Sequence, residues 1–266
     1  MSALGGEDAA TLDTVGGGAG RRLIVLEIII VLTVSLGRSA VYSMIALIDK
    51  LTQAKPLGEQ TTSMNTSFTP DRPWLDLAYQ LYYFILPAGQ VLLVLYLLKL
   101  AYGEARRLIG FDVRQFGRDL LKGAGICAAV GIPGLGFYLL ARQIGINTNV
   151  APANLTSVWW TIPVLLMSAL VAGVSEEVIM LGYLVTRLRA VGWAPFVAVV
   201  VSALIRGGYH LYQGFGGFVG NAIMGTVFGW VYMRTKRVLP LVITHIILDI
   251  FSFVGYALLK DVWTWL

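Results

Sequence analysis

Long apolar segments, separated by short polar ones, follow one another along most of this chain. A helix needs about 20 mostly apolar residues to cross a bilayer, and seven segments have about that length or more. Open strands are excluded at membrane depth because their edge groups would have no partners. The pattern therefore predicts an all-α fold, a polytopic transmembrane helical bundle of about seven to eight membrane helices. The segments cover residues 23–48, 75–101, 120–142, 157–187, 193–212, 216–234 and 238–259.

The composition agrees with a chain whose surroundings are mostly lipid. Hydrophobic residues make up 57% of it and charged residues only 13%, against about 25% charged in a soluble domain. The net charge of +5 comes from short basic loops without interleaved aromatic residues, so nucleic acid is not a predicted partner. Cys127 is the single cysteine, which excludes an intrachain disulfide and a Cys-based zinc site.

Basic residues concentrate in every second loop, which predicts an orientation. Cytoplasmic loops of membrane proteins are enriched in Lys and Arg. The pattern predicts seven spans with a cytoplasmic N-terminus, in a multi-pass protein of the cell membrane. The residues are Arg21, Arg22, Arg106, Arg107, Arg114, Arg118, Lys122, Arg187, Arg189, Arg234, Lys236 and Arg237.

The domain organisation is simple. Residues 1–22 are rich in Gly and Ala and contain three acids before an Arg pair, which predicts a disordered cytoplasmic tail and does not resemble a secretory signal peptide. Residues 23–266 are predicted to form one integral membrane domain.

A few ionisable residues lie inside the last four apolar segments, and they include both histidines of the chain. Ionisable residues within a membrane are costly, and they usually face the bundle interior and mark a functional site. They are Glu176, Glu177, Arg206, His210, His245 and Asp249.

The spacing of these residues predicts which of them share a helix face. His245 and Asp249 are four residues apart, as are Arg206 and His210, so each pair would project from one side. Adjacent residues such as Glu176 and Glu177 point about 100° apart. Only one of the two glutamates can therefore face a shared centre, and the other needs its own partner.

The depth of each residue in the membrane tests whether four of these residues can meet. At a rise of 1.5 Å per residue, Glu176 lies about 16 Å along its helix from Arg187, and His245 and Asp249 lie about 12 and 18 Å from Arg237. By the same rise His210 lies about 26 Å from Trp193, which is deeper than the other three. A helix that starts late or tilts would remove the disagreement.

Two chemistries fit carboxylates and imidazoles in one water-accessible pocket. In the first, Glu176 is a general base that activates water, His210 holds the water, and His245 and Asp249 orient or stabilise the oxyanion. In the second, His210, His245 and Glu176 bind a divalent metal such as zinc. The spacing of the residues does not separate the two.

Three short motifs give a family resemblance. EEVIMLG at 176–182, the LIRGGYH segment that ends at His210, and HIILD at 245–249 follow one another on successive helices. This order resembles the CAAX-processing and bacteriocin-processing (CPBP) family of intramembrane proteases, type II CAAX endopeptidase-like, whose motifs read EExxxR, FxxxH and HxxxN/D. The resemblance covers about residues 157–255.

The resemblance implies a protease-like core and an activity. It implies an endopeptidase that cuts a membrane-associated substrate, prenylated and of the CAAX type or otherwise lipid-linked. Glu176 would be the catalytic acid, His210 its paired histidine, and His245 and Asp249 would line the oxyanion side. The family name metalloendopeptidase implies zinc, whereas a glutamate-dependent mechanism needs no metal, and we favour the latter.

The sequence departs from the motifs at two positions. Leu181 stands where the first motif has Arg, and Arg206 stands where the second has Phe. We predict that the guanidinium of Arg206, on a neighbouring helix, replaces the motif Arg that is missing at Leu181. Arg206 would then pair with Glu177 in a supporting role.

Other interpretations remain open. An inactive immunity or scaffold protein of the same fold would keep the pocket without turnover. A transporter with a carboxylate–histidine relay ranks third, because transporters often show internal repeats and this chain shows none. The lipid bilayer and a membrane-tethered peptide are the predicted partners, and the oligomeric state is open.

Overall fold

The computed structural model describes residues 18–260, and residues 1–17 and 261–266 lie outside that range. Within it 78% of the residues are helical, which confirms the all-α helical bundle. One of the helices is a π-helix, Val178–Val185, and two three-residue strands, β1 (Thr61–Ser63) and β2 (Asn149–Ala151), pair in parallel. The α-helices are α1 (Gly18–Val34), α2 (Leu36–Thr52), α3 (Pro73–Tyr83), α4 (Ile85–Tyr102), α5 (Ala105–Leu108), α6 (Phe116–Gln143), α7 (Thr161–Glu177), α8 (Thr186–Ala190), α9 (Pro195–Gly208), α10 (Phe215–Thr235) and α11 (Leu239–Leu259).

Part of the predicted tail, residues 18–22, lies in a helix. Helix α1 begins at Gly18, so residues 18–22 of that prediction are helical, and residues 1–17 lie outside the described part of the chain.

Each of the seven predicted segments is helical, but fewer than seven are long and apolar enough to cross a membrane. Among the described residues, four helical stretches meet both criteria, and α1 with α2, bent by 52°, is a fifth if counted as one span. Helix α9 has only 14 residues, about 21 Å, against a hydrocarbon core about 30 Å thick. Helix α10 has 21 residues, but five of them are glycine. On length and composition the count is therefore four to five rather than seven to eight.

The loops nevertheless group at two ends of the bundle, in the alternation that the sequence predicts. At one end, Arg21 Nη2 donates to Val191 O at 2.6 Å and Val238 N donates to Ile109 O at 2.8 Å. At the other, strand β1 from the first loop pairs with β2 from the loop after α6. Which end is cytoplasmic stays a prediction.

Small residues bring α9 and α10 close together. A Cβ at Gly229 would lie 2.5 Å from Val199 Cγ1, and one at Gly225 would lie 3.1 Å from Ala203 Cα. Close backbone approach through small residues is typical of helix pairs in membranes. This contact holds the short α9 in place although α9 is too short to span on its own.

The interior of the bundle is built around the continuous stretch Thr161–Ala190. Its π-helical section is wholly buried, and α11 packs along α7 with Gly173 against Ile246. Helix α11 also contacts α6, where Gly123 faces Ile243. Helix α9 meets the same stretch at the π-helix, where Ser202 Oγ donates to Met180 O at 3.0 Å.

An ion-pair cluster closes one end of the bundle. Arg237 Nη2 donates to Asp119 Oδ2 at 2.6 Å, and the Asp119 side chain is fully buried. Arg237 also donates to Asp112 O at 2.9 Å. The hydrogen bond from the Arg114 side chain lowers the pKa of Asp112 well below its usual range, so this carboxylate stays ionised near neutral pH. The cluster joins the start of α6 to the start of α11.

We expect Asp119→Asn to destabilise the fold. Arg237 would keep Asp112, whose Oδ2 lies 3.4 Å from its Nη1, but would lose the charge of its fully buried partner, and a hydrogen bond to a charged group contributes about 1.5–3 kcal/mol. Thermal unfolding in detergent micelles measures the effect. Glu104→Gln is the control, because the Glu104–Arg107 pair has 3.6 Å between its charged atoms and is mostly exposed, and such pairs contribute little. Equal melting temperatures for the two variants would contradict the assignment.

Candidate active site

Glu176 and Glu177 are the last two residues of α7, where the α-helix passes into the π-helix. π-helical turns are rare and are often found at functional sites. The predicted continuous helix is therefore present, but its turns widen directly after the glutamate pair.

Glu177 is the centre of a buried charge network. Its side chain is 0% exposed, and its Oε1 accepts hydrogen bonds from Arg206 Nη2 at 2.5 Å and from His245 Nδ1 at 2.7 Å. Arg206 comes from α9 and His245 from α11. The predicted pairing of Arg206 with Glu177 is thus confirmed, and one carboxylate joins three helices.

Glu176 points in a different direction, as adjacent helical residues must. Its Oε2 accepts a hydrogen bond from the Tyr209 hydroxyl at 2.6 Å and lies 3.8 Å from Arg206 Nη1. The Glu176 side chain is 14% exposed. Of the two glutamates, this is the one that solvent can reach.

His210 does not lie on a helix, in contrast to the prediction of one helix over 193–212. Helix α9 ends at Gly208, and His210 precedes the short 3₁₀ turn Leu211–Gln213. Its Nδ1 lies 3.0 Å from Arg206 O. A carbonyl can only accept, so Nδ1 carries the proton in this bond, and Nε2 of the neutral ring is left as an acceptor.

The early end of α9 also explains why the depth predicted for His210 differed from that of the other site residues. Helix α9 rises only about 21 Å from Pro195 to Gly208, because it starts late and stops early. The His210 ring then packs on Tyr209 with 4.7 Å between ring centroids, and Tyr209 bonds Glu176. His210 is therefore at the level of the glutamate pair, and the predicted helical i, i+4 face of Arg206 and His210 does not exist.

His245 and Asp249 share one face of α11, as their spacing predicts. His245 Nε2 lies 3.6 Å from Asp249 Oδ2, an electrostatic contact just beyond hydrogen-bond distance. The ring stands between two carboxylates, with Glu177 on its Nδ1 side.

The six residues form a partly accessible layer and a buried layer. The partly accessible layer is Glu176, His210 and Asp249. The buried layer is Glu177, Arg206 and His245. Solvent can reach the first set, whereas the second set is enclosed by the bundle.

Leu181 does not take part in the charge network. It is 1% exposed and belongs to the apolar core around the π-helix. The positive charge beside Glu177 is supplied by Arg206 from α9 instead. The two departures from the motif pattern therefore compensate each other in space.

The residues do not fit a metal site. Across residues 18–260, no group of three or more His, Cys, Asp or Glu side chains is arranged to hold a metal ion. His245 Nδ1 is bonded to Glu177 and His210 Nδ1 faces Arg206 O, so Nε2 is the ring atom that each histidine leaves available. Among the described residues, the predicted ligand set of His210, His245 and Glu176 is not brought together as a three-ligand group.

Two contacts at or near the site were not predicted from the sequence. The first is the hydrogen bond from the Tyr209 hydroxyl to Glu176. The second is a partly buried network that joins Glu27 of α1 to Arg187 Nη2 at 2.5 Å and to the Tyr183 hydroxyl at 2.9 Å. The signal for it was available: Glu27 is a lone acid inside the apolar run LIVLEIIIV.

Comparison with known proteins assigns a class to this region. Residues 158–251 match the family model Rce1-like, described as type II CAAX prenyl endopeptidase Rce1-like. The match falls within the predicted protease-like core, contains all six ionisable residues, and confirms the resemblance to the CPBP family of CAAX-type proteases. No curated protein and no solved structure matches the chain significantly.

We expect Arg206→Met to destabilise the protein by about 3 kcal/mol or more, because Glu177 loses its buried counter-charge. In a Glu177→Gln background the same change should cost much less, since no carboxylate is left uncompensated. Thermal unfolding of the four proteins of this cycle gives the coupling. Arg234→Met, at an exposed arginine, is the control. An equal loss of stability in both backgrounds would show that Arg206 does not stabilise the protein through Glu177.

Proposed function

We propose that the protein is an intramembrane endopeptidase that hydrolyses a peptide bond of a membrane-associated substrate, with Glu176 as the general base. The observation that carries the proposal is the difference between the two glutamates. Glu176 is partly exposed, with Tyr209 and Arg206 on one side of it, while Glu177 is buried and paired. A general base such as Glu176 must be in contact with water, and the paired Glu177 beside it would keep it in position.

The first chemical step follows from this geometry. Glu176 takes a proton from a water molecule while the water oxygen attacks the carbonyl carbon of the scissile peptide. His210 accepts a hydrogen bond from the same water through Nε2, because its Nδ1 is directed at Arg206 O. The tetrahedral intermediate collapses when Glu176 returns the proton to the leaving nitrogen, so that the protons balance over the cycle.

The developing negative charge on the carbonyl oxygen needs a donor. His245 offers Nε2, which makes no hydrogen bond at 3.6 Å from Asp249. Donation from Nε2 requires a doubly protonated ring, because Nδ1–H already donates to Glu177. Asp249, when ionised, accepts hydrogen bonds only, so we assign it the orientation of His245 rather than direct contact with the oxyanion.

The substrate class follows from the family match and the surroundings of the site. A prenylated CAAX-type peptide, or another lipid-linked peptide, would reach the site from the bilayer, and the proposed location is the cell membrane with the N-terminus in the cytoplasm. An inactive immunity or scaffold protein is the second candidate, favoured by Leu181 at a motif position.

We expect Glu176→Gln to lower kcat by about a hundredfold or more, the usual contribution of a general base, with little change in melting temperature. Proteomics of membrane-tethered peptides in cells that carry the wild type or Glu176→Gln identifies the substrate. Glu59→Gln, at an exposed glutamate, is the matched control. Full function in a folded Glu176→Gln protein would support the scaffold instead.

Because the donors do not fit a metal, we expect hydrolysis to persist after incubation with a strong zinc chelator. The rate of cleavage of the identified peptide is compared before and after chelation and dialysis. Complete inhibition that added zinc reverses would overturn the metal-free mechanism, while leaving the assignment as a peptidase intact.

A further inference from the structure

The backbone of residues 209–217, which contain His210, is held by side-chain and backbone groups from distant parts of the chain. These partners of the backbone lie outside residues 158–251, the part that matches the protease family. We refer to them as the polar clamp, and they are Ser43, Thr62, Ile146, Asn147 and Thr148.

The clamp first binds the backbone on both sides of the histidine. Ser43 Oγ, on α2, donates to Tyr209 O at 2.8 Å. Thr148 donates twice to Gln213 O, from its amide at 2.9 Å and from its hydroxyl at 3.0 Å. His210 lies between these two fixed carbonyls.

A second set of contacts fixes the start of α10. Asn147 Oδ1 accepts from Gly217 N at 2.7 Å, and Ile146 O accepts from Gly216 N at 3.1 Å. Asn147 is 1% exposed, and its Nδ2 donates to Thr148 O at 3.0 Å. The backbone approaches so closely that a Cβ at Gly214, whose φ is +114°, would lie 2.7 Å from Ile146 O.

The two threonines of the clamp connect it to the small sheet. Thr62 of β1 lies 2.7 Å from Thr148, hydroxyl to hydroxyl, and its Oγ1 is 3.2 Å from Tyr212 O. Thr148 is 0% and Thr62 is 6% exposed. Because β1 pairs with β2 directly after Thr148, the loops before α3 and after α6 act as one support.

We propose that the polar clamp positions His210 for catalysis, so that Thr62, Asn147 and Thr148 are positioning residues of the site. The proposal rests on the proposed function for the role of His210 in holding water. A helix end inside a bundle leaves carbonyls without intrahelical partners, and only a short 3₁₀ turn follows before α10. Buried hydroxyls and one buried amide fix the backbone on both sides of His210, while Arg206 O holds its ring at Nδ1.

The test compares two substitutions that each remove one hydroxyl from the joined loops. Thr148→Val keeps the shape and removes the hydroxyl bond to Gln213 O. Ser67→Ala removes the hydroxyl that lies 3.0 Å from Thr156, a bond that joins the same two loops without contacting 209–217. Thr148→Ser is the conservative variant that retains the hydroxyl, and Thr62→Val takes the place of Thr148→Val if the latter fails to fold.

NMR spectroscopy reports on the environment of the His210 ring directly. The chain has two histidines, so ¹³C labelling of histidine gives two ring signals, which His210→Gln assigns. We expect Thr148→Val to move the His210 signal and leave that of His245, whereas Ser67→Ala and Thr148→Ser move neither. A His210 signal in Thr148→Val that coincides with the wild type would overturn the proposal.

A kinetic measurement on the peptide substrate completes the test. We expect kcat of Thr148→Val to fall by about tenfold or more, as displacement of a positioned group does, with KM within twofold. In a His210→Gln background, Thr148→Val should lower kcat no further. A further tenfold loss of kcat would mean that the clamp acts on a residue other than His210. If the wild type cleaves no peptide, the proposed function fails, whereas the histidine signals still decide whether the clamp fixes His210.

Discussion

The carboxyl group of Glu177, buried inside the bundle beside the guanidinium of Arg206, is the constraint on which the site depends. An isolated charge in such surroundings costs many kilocalories per mole, so the three helices that pair it cannot separate freely. Arg206 and His245 both bind the same oxygen, Oε1, which fixes α9 and α11 against the end of α7. The position of Glu176 follows, because it is the next residue along a helix that Glu177 holds in place.

This constraint made part of the site predictable from the sequence. A buried carboxylate requires a partner, and Arg206 was the cation available on a neighbouring helix, so the pairing could be inferred without coordinates. The face shared by His245 and Asp249 followed from helical spacing alone. Seven helical segments were likewise visible as apolar runs, although apolarity did not show that α9 would end at Gly208.

Other features left no local signal. The π-helix over Val178–Val185 follows from packing, since its sequence VIMLGYLV is equally compatible with an α-helix. The break before His210 lies in a glycine-containing run that is compatible with either a helix or a turn. The clamp residues are separated from His210 by between 62 and 167 positions in the chain, and no periodicity links hydroxyl groups at such separations.

The short α9 explains why the chain needs its first half. A helix that stops before crossing the bilayer leaves polar backbone at depth, which is tolerated only where protein or water satisfies it. Ser43 and Thr148 satisfy the carbonyls of Tyr209 and Gln213, so the first half of the chain completes the hydrogen bonding of the second. The same break takes His210 off the helix surface, and its ring packs on Tyr209, which bonds Glu176. A site made of one buried, paired carboxylate and one accessible carboxylate therefore depends as much on the support of an irregular loop as on the helices that carry its charges.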